Sequence, residues 1–300
     1  MKIACVGEAM VELALTASGT TAQVGFAGDT LNTAIYLKRG APQLDVSYVT
    51  RLGTDSFSDG LRGFIAAEGI STDDIETSET RRVGLYAITT DADGERSFSY
   101  WRDSSAAREM FQFGDQIDFS VLAKFDLIYL SAITLAIWPD AVRLEFYKWA
   151  AGYRAAGGQI AFDSNYRPAL WISSEIARDR IRQCWEMTDI AMPSVDDEME
   201  AFGDNSVEQV VARLKNCGVL RGALKCGEGG PESLGDPVKQ EYPAAETVVD
   251  TTAAGDSFNG GYLAALLTGA DQKAALMAGH MLARKVVGTK GAIIPKDVDI

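Results

Sequence analysis

Short runs of apolar, often β-branched residues alternate along this chain with longer stretches in which apolar residues recur every three to four positions. The short runs predict strands at residues 3–7, 46–50, 127–131, 159–163, 190–193, 222–225 and 247–250. The longer stretches predict helices at residues 31–38, 57–68, 139–156, 174–185, 207–216 and 257–267. This alternation predicts an α/β fold, a doubly wound and mostly parallel sheet with helices on both faces.

Polar residues close several of the predicted strands. Asp163, Lys225 and Asp250 each end a strand, and Pro193 ends another. Ligands of open α/β sheets bind at the carboxyl ends of the strands. We therefore expect these distant positions to meet at one edge of the sheet.

Two segments break the alternation. Residues 83–89 and 96–101 flank the turn-rich residues 91–95, which predicts an antiparallel hairpin. With residues 10–15 and 23–26 the hairpin predicts a small separate sheet. The expected organisation is one domain, residues 1–300, with an appendage formed discontinuously by about residues 8–27 and 80–104.

The composition narrows the class of protein. The chain is 47% hydrophobic and 23% charged, which is ordinary for a globular protein of 300 residues. Its formal charge of −14 would repel nucleic acid and anionic membrane surfaces, so neither is an expected partner. No apolar run of membrane-spanning length and no leader pattern precede the first predicted strand, which predicts a cytoplasmic protein.

Histidine and cysteine usage excludes further chemistry. The four cysteines form no close-spaced pair, so neither a structural zinc site nor a disulfide framework is expected. The one histidine, His280, lies in an apolar-periodic stretch and is better explained as a helix residue than as part of a catalytic triad. A general base in this chain is therefore expected to be a carboxylate.

Residues 248–262 carry the most informative pattern. A β-branched run leads through the small residues Ala253, Ala254 and Gly255 into a helical stretch, and small residues let an anion approach backbone N–H groups at a helix N-terminus. Asp256 stands at the mouth of this predicted anion site. It is either a base that accepts a proton from an attacking hydroxyl or an ordinary N-cap.

Several segments resemble the ribokinase-like (PfkB) carbohydrate kinases, in the same order along the chain. They are Gly7-Glu8 and residues 25–34 (GFAGDTLNTA), 52–58, 100–102, 162–171 (FDSNYRPALW), 225–230 (KCGEGG), 248–262 and 291–295. Within that family the chain is most similar to the branch that phosphorylates 2-keto-3-deoxygluconate. The resemblance implies ATP-dependent phosphorylation of a sugar acid with Mg²⁺, and a small sheet that forms a lid over the sugar and often pairs with its copy in a homodimer.

The resemblance also implies roles for the transferred group and the sugar. Asp256 would act as the base, and the amides of Ala253, Ala254 and Gly255 would form the anion hole for the transferred phosphoryl group. The implied sugar-binding residues are Gly28, Asp29, Asn32, Tyr86, Tyr100, Arg102 and Arg167. The two arginines would bind the substrate carboxylate. Without the family, an N-cap and a helix-face amide explain Asp29 and Asn32 equally well.

The nucleotide side is implied in the same way. The implied ATP-binding residues are Asn165, Ser194, Lys225, Gly227, Gly230, Ala254 and Gly255. Ser194 and Asp197 stand where the family has an Asn-x-x-Glu metal motif, so Asp197 is the expected magnesium residue, with Glu198 as its rival. Residues 229–241 contain Pro231 and Pro237 and few β-formers where the family has a strand pair.

Other functions remain open from the sequence. A fructokinase or a nucleoside kinase would keep Asp256 but would have little use for two arginines in the cleft. A non-catalytic sensor of sugar acids could use the same scaffold. A dinucleotide-dependent oxidoreductase would need Gly-x-Gly-x-x-Gly after the first strand, and residues 6–10 lack it.

Overall fold

The computed structural model describes residues 1–16, 19–90 and 96–296. Its strands are β1 (Lys2–Val6), β2 (Met10–Leu15), β3 (Ala22–Ala27), β4 (Asp45–Val49), β5 (Arg51–Leu52), β6 (Glu76–Thr77), β7 (Gly84–Thr90), β8 (Arg96–Trp101), β9 (Gln112–Phe113), β10 (Gln116–Ile117), β11 (Leu127–Ser131), β12 (Gln159–Asp163), β13 (Ile190–Ala191), β14 (Ala223–Lys225) and β15 (Pro231–Ser233). Its α-helices are α1 (Asp29–Gly40), α2 (Ser56–Ala67), α3 (Ala132–Ile137), α4 (Asp140–Ala155), α5 (Ser174–Trp185), α6 (Val195–Phe202), α7 (Val207–Asn216), α8 (Ala254–Leu267) and α9 (Gln272–Val287).

The central sheet confirms the predicted fold class. Its strand order is β13-β12-β11-β1-β4, and every pairing in it is parallel. Strand β1 shows how the sheet is covered: Ile3 and Cys5 pack on one face with α1, α8 and α9, while Ala4 and Val6 pack on the other with α4, α5 and α7. Both faces are buried, which is why these strands are apolar throughout rather than alternating.

The predicted hairpin and small sheet are also present. Strands β7 and β8 are antiparallel, and the order β3-β2-β7-β8 forms a four-stranded sheet apart from the central one. We call these four strands the small sheet. The predicted turn at residues 91–95 and two residues of the expected appendage, 17 and 18, lie outside the described residues.

The predicted strand at residues 247–250 is wrong. The side chains of Val248 and Val249 are exposed, and the Val249 and Asp250 N–H groups both donate to the Val287 carbonyl instead of a neighbouring strand. The Asp250 carboxylate binds Arg96 Nη1 at 2.5 Å and the Gly291 N–H at 2.8 Å. The β-branched pair therefore lies in an irregular segment that is fixed by its aspartate.

Three helices extend the predicted set. Helix α3 starts directly after β11, helix α6 follows the N-cap Ser194, and α9 contains the apolar-periodic stretch around His280. The sparse β-formers of residues 229–241 nevertheless give β15, which pairs antiparallel with β14. Within the described residues, no helix combines the length and the apolar character needed to cross a membrane.

Candidate active site

Functional side chains collect where the parallel strands end. Glu8 follows β1, Ser131 ends β11, Asp163 ends β12 and Lys225 ends β14, next to the N-termini of α1 and α8. Helices α1 and α8 pack against each other, which brings Asn32 within hydrogen-bonding distance of Asp256 although 224 positions separate them in sequence. Asp163 and Lys225 are thus confirmed at one edge of the sheet. Asp250 instead pairs with Arg96 and the Gly291 N–H.

Asp256 is not the N-cap of α8. The N-cap is Ala253, and Asp256 is the third residue of the helix, with its Oδ2 accepting a hydrogen bond from Asn32 Nδ2 at 2.8 Å. Burial raises the pKa of Asp256 to about 8; the negative charge of Asp29 adds to this effect, and the Asn32 hydrogen bond opposes it. A carboxyl group with this pKa can take up a proton near neutral pH, as a general base must.

The N-terminus of α8 provides donors for an anion. Ala253 adopts the left-handed conformation with φ 59°, which turns the chain sharply into the helix. The Ala254 N–H donates to the Thr251 carbonyl at 3.2 Å, whereas the N–H groups of Gly255 and Asp256 have no acceptor in the described part of the chain. Ala254 therefore has an acceptor of its own here, while the predicted anion-hole residues Ala253 and Gly255, like Asp256 beside them, have free N–H groups in the described part of the chain.

Lys225 adds a positive charge at the same place. A Cβ built on Gly255 would lie 3.5 Å from Lys225 Nζ, so the ammonium group lies beside the free amide of Gly255. Its own ligands are Asp163 Oδ2 at 2.8 Å and Asn259 Oδ1 at 3.1 Å. Lys225 thus adds its positive charge at the N-terminus of α8, and this charge opposes the rise in the pKa of Asp256.

The predicted sugar residues on α1 lie next to this cluster. A Cβ on Gly28 would lie only 2.4 Å from the Glu8 carbonyl oxygen, so close packing requires glycine here. Asp29 Oδ2 accepts hydrogen bonds from Ser131 Oγ and, at 2.8 Å, from Asn165 Nδ2. Asn165, which the sequence assigned to the nucleotide, therefore binds a residue of the predicted sugar side in this structure.

The aromatic residues of the small sheet have different environments. Tyr86 is buried and its hydroxyl hydrogen-bonds Glu12, and burial together with that carboxylate raises its pKa. Tyr100 on the edge strand β8 is 54% exposed, with its ring centroid 5.8 Å from that of Tyr86. Phe98 and Trp101 on the same strand are also exposed. This strand presents an aromatic surface to solvent.

Arg102 and Arg167 differ in their partners and in how exposed they are. Arg102 is buried and paired with buried Glu8, whose Oε2 accepts from Arg102 Nε at 2.8 Å and from Nη2. Arg167 is half exposed, and its Nη1 donates to the Tyr166 carbonyl at 2.6 Å and lies 3.4 Å from Asp197 Oδ1. The charge of Arg102 is thus compensated by Glu8, a pairing that the sequence did not indicate.

The two candidate magnesium residues, Asp197 and Glu198, have different surroundings. Ser194 caps α6 by accepting the Asp197 N–H, and Asp197 pairs with Arg167; burial raises the pKa of Asp197 and the guanidinium opposes this effect. Glu198 is buried and paired with Arg213 Nη2 at 2.8 Å, and burial raises its pKa to about 7. Glu198 thus lies fully buried against Arg213, whereas Asp197 lies beside Arg167.

The two predicted ATP-binding glycines after β14, Gly227 and Gly230, have different surroundings. Gly227 starts a 3₁₀ turn with φ +56° and has open space where a Cβ would stand. Gly230 has φ +80°, and a Cβ there would lie 2.4 Å from the Tyr242 ring. Packing of Tyr242 is therefore sufficient to explain Gly230, while Gly227 leaves room for a ligand.

Sequence reasoning missed the buried polar residues behind the site. They are Glu8, Thr33, Tyr129, Ser131 and Asn259, and all are at most 2% exposed. Asn259 offers the clearest signal, since it is an amide within the apolar helix α8. Buried polar groups are almost always hydrogen-bonded, so such a residue predicts a partner at the site.

Comparisons with known proteins agree with this geometry. A family model described as pfkB family carbohydrate kinase matches residues 1–299. The chain is 44% identical to a 2-dehydro-3-deoxygluconokinase of Dickeya dadantii (strain 3937), over 98% of this chain and 96% of that one. It is 43% identical to a 2-dehydro-3-deoxygluconokinase of Escherichia coli (strain K12), over 99% and 98%. A crystal structure of a PfkB protein from Polaromonas sp. JS666 is similar with a TM-score of 0.83 at 27% identity, covering 96% of each chain.

Proposed function

The chain belongs to the pfkB family of carbohydrate kinases, and from that premise we propose that it transfers the γ-phosphoryl group of ATP to the 6-hydroxyl of 2-keto-3-deoxygluconate. The product is 2-keto-3-deoxy-6-phosphogluconate, and the substrate is also called 2-dehydro-3-deoxygluconate. The observation that carries the proposal is the 44% identity, over nearly the whole chain, to a curated kinase of this sugar acid. The cluster of Asp256, the α8 N-terminus and Lys225 supplies the groups that phosphoryl transfer needs.

In the proposed reaction Asp256 takes the proton of the sugar hydroxyl. The hydroxyl oxygen attacks the γ-phosphorus, the bond between this phosphorus and the bridging oxygen breaks, and ADP leaves with that oxygen. Negative charge on the transferred group is stabilised by the free N–H groups of Ala253, Gly255 and Asp256, by the helix N-terminus and by Lys225. Asn32 holds the Asp256 carboxyl group toward the sugar side.

The raised pKa of Asp256 sets the expected pH dependence of this step. A base must be deprotonated, and the pKa of this carboxyl group is about 8 in the free protein. Its active fraction therefore rises as the pH increases toward and through 8. We expect kcat/KM to rise over the same range, since this ratio reports the ionisation of the free enzyme.

ATP is proposed to bind on the β14 side of the cluster. The residues assigned to it are Asn165, Ser194, Lys225, Gly227, Gly230, Ala254 and Gly255. Asp197 fits a magnesium ion that arrives with ATP, because Mg²⁺ keeps several waters and needs few protein ligands. The ion would neutralise phosphate charge, and within the described residues no group of three or more histidine, cysteine or acidic residues offers a metal site of its own.

The substrate carboxylate is proposed to bind Arg102 and Arg167. Nε and Nη2 of Arg102 donate hydrogen bonds to Glu8. The remaining nitrogen of Arg102, Nη1, has no protein acceptor in the described part of the chain. We assign that nitrogen to the carboxylate, with Tyr86 and Tyr100 as neighbours on the small sheet. Gly28, Asp29 and Asn32 are assigned to the sugar hydroxyls.

We further propose that the small sheet closes over the sugar and that a second copy of the chain covers its outer face. Exposed Trp101 of β8 and exposed Val24 of β3, which the strand register places on the face opposite Tyr86 and Tyr100, are part of the surface that such a homodimer would bury. The expected setting is the cytoplasm, where ATP is available. Neither nucleic acid nor a membrane is a proposed partner, because the net charge is −14.

Phosphorylation of a substrate panel tests this function. We expect the highest kcat/KM for 2-keto-3-deoxygluconate among sugar acids, neutral sugars such as fructose, and nucleosides. A higher value for fructose or for a nucleoside would refute the acid substrate and leave a kinase of another class. Tight binding of the sugar acid without any phosphorylation would indicate a sensor instead.

A further inference from the structure

Asp163, Asn259 and Lys225 form a closed ring of hydrogen bonds beneath the N-terminus of α8. Asp163 Oδ2 accepts from Lys225 Nζ at 2.8 Å and from Asn259 Nδ2 at 2.6 Å, and Asn259 Oδ1 accepts from Lys225 Nζ at 3.1 Å. Asp163 is 2% exposed and Asn259 is fully buried. The Lys225 side chain is 11% exposed, so two buried polar side chains hold a third whose ammonium group is largely shielded from water.

The ring fixes a group that is otherwise mobile. A lysine side chain has a flexible stem of four carbons, so its ammonium group normally samples many positions. Here two of its three N–H donors are directed at Asp163 and Asn259, which holds the charge beside Gly255. The third donor is left for a ligand.

Asn259 also connects the ring to the proposed base. Its second N–H reaches the Tyr129 hydroxyl at 3.2 Å, and that hydroxyl lies 3.1 Å from Thr33 Oγ1. Thr33 Oγ1 in turn donates to the Asp256 carbonyl at 3.2 Å. Because Thr33 has a single hydroxyl hydrogen, Tyr129 must donate to Thr33, and the four residues form one directed chain.

We propose that Asp163 and Asn259 are positioning residues that act through Lys225, holding its ammonium group where it contacts the phosphoryl group during transfer. This inference rests on the proposed kinase function and adds to it the residues that preorganise its charge. A preorganised cation costs no reorganisation at the moment of reaction, so it stabilises the transition state more than the bound substrates. Loss of either positioning residue should therefore lower kcat more than it raises KM.

The experiment is a double-mutant cycle on Asp163→Asn and Lys225→Met. We expect Lys225→Met to lower kcat about 100-fold, with KM for the sugar within about threefold of wild type. Asp163→Asn should lower kcat at least about tenfold alone and should have no further effect in the Lys225→Met background. Lys225→Arg should restore part of the activity, and Lys215→Met, an exposed lysine on α7, should leave it unchanged.

A binding measurement separates this inference from the proposed function. Lys225→Met should weaken binding of a non-hydrolysable ATP analogue at least about tenfold and ADP by less than threefold, because only the analogue carries a γ-phosphoryl group. The nucleotide-binding test does not depend on which sugar is phosphorylated. If that sugar is not 2-keto-3-deoxygluconate, the double-mutant cycle is measured with the sugar that is. Equal losses for ADP and the analogue would overturn the inference.

Two kinetic outcomes would also overturn it. If Asp163→Asn lowers kcat as strongly with methionine at position 225 as with lysine, Asp163 acts independently of Lys225. If its effect disappears at high Mg²⁺, it acts on the metal. Should Asp163→Asn fail to fold because it leaves a buried ammonium group unpaired, the double variant lacks both charges, and its comparison with Lys225→Met decides the same question.

Discussion

Replacement of Asp256 by asparagine tests the proposed base most directly. Asparagine keeps the size of the side chain and can still accept the hydrogen bond from Asn32, so the sugar-acid Kd should change little. It cannot take up the proton, and general-base catalysis contributes about 10²–10⁴-fold to rate. We expect single-turnover phosphoryl transfer, measured by rapid quench, to slow by about 10²-fold or more.

The same substitution should change stability in a pH-dependent way. The pKa of Asp256 is about 8 in the folded protein and about 4 in an unfolded chain. A raised folded-state pKa contributes stability that is present below about pH 4 and is lost as the pH rises through 8. Asparagine does not titrate, so the variant should gain stability over wild type between pH 5 and 8.5, on the order of a few kcal/mol.

Urea denaturation at the two pH values measures this gain. Asp271→Ala is the matched control, because Asp271 caps α9 by accepting the Ala274 N–H at 2.8 Å. Loss of that cap should cost about 1 kcal/mol of stability and leave turnover unchanged. Turnover of Asp256→Asn within a few-fold of wild type, with a stability difference that is the same at both pH values, would refute the assignment of the base.

Four further predictions concern the two arginines, the small sheet and the α8 turn. Arg102→Ala should weaken sugar-acid binding by about 1.5–3 kcal/mol and also destabilise the fold by about 3–5 kcal/mol, because it leaves Glu8 buried and unpaired; Glu8→Gln in the same chain should restore stability. Arg167→Ala, at a half-exposed side chain, should weaken binding in calorimetric titration without the loss of stability. Sugar acid should protect residues 84–101 from hydrogen exchange more than ATP does, and the reverse order would assign the hairpin to the nucleotide. Ala253→Gly should raise the free energy of unfolding by about 0.5–1 kcal/mol, since relief of about 1–2 kcal/mol of left-handed strain exceeds the entropy added to the unfolded chain, and no change in urea denaturation would argue against strain at this turn.

The fold was predictable because its strands are buried on both faces. Such strands are continuous apolar runs between amphipathic helices, and this pattern survives in the sequence alone. The failure at residues 247–250 has the opposite cause: Val248 and Val249 have high β-propensity, but their surroundings leave them exposed. Local preference indicated a strand there, and tertiary contacts of Asp250 decided otherwise.

The sequence indicated some of the residues that meet around Asp256 but not how they pair. The residue types that phosphoryl transfer needs can be recognised in the sequence around Asp256. The pairing of Arg102 with Glu8 cannot, because 94 positions separate the two residues. Whether Asp256 was an N-cap depended on where α8 begins, and that start is set by a left-handed alanine that no side-chain pattern indicates. Long-range ion pairs and backbone turns of this kind are properties of the assembled fold.

The contact between α1 and α8 also constrains how the protein is made. Asn32 is synthesised early and Asp256 near the end, so a chain still on the ribosome carries Asn32 and Thr33 long before it carries Asp256 and the α8 turn. Until then Asn32 and Thr33 lack Asp256, to which both hydrogen-bond in the folded protein. The candidate site is thus complete only in chains whose synthesis has passed α8, and we expect no phosphoryl transfer by truncation products that end before it.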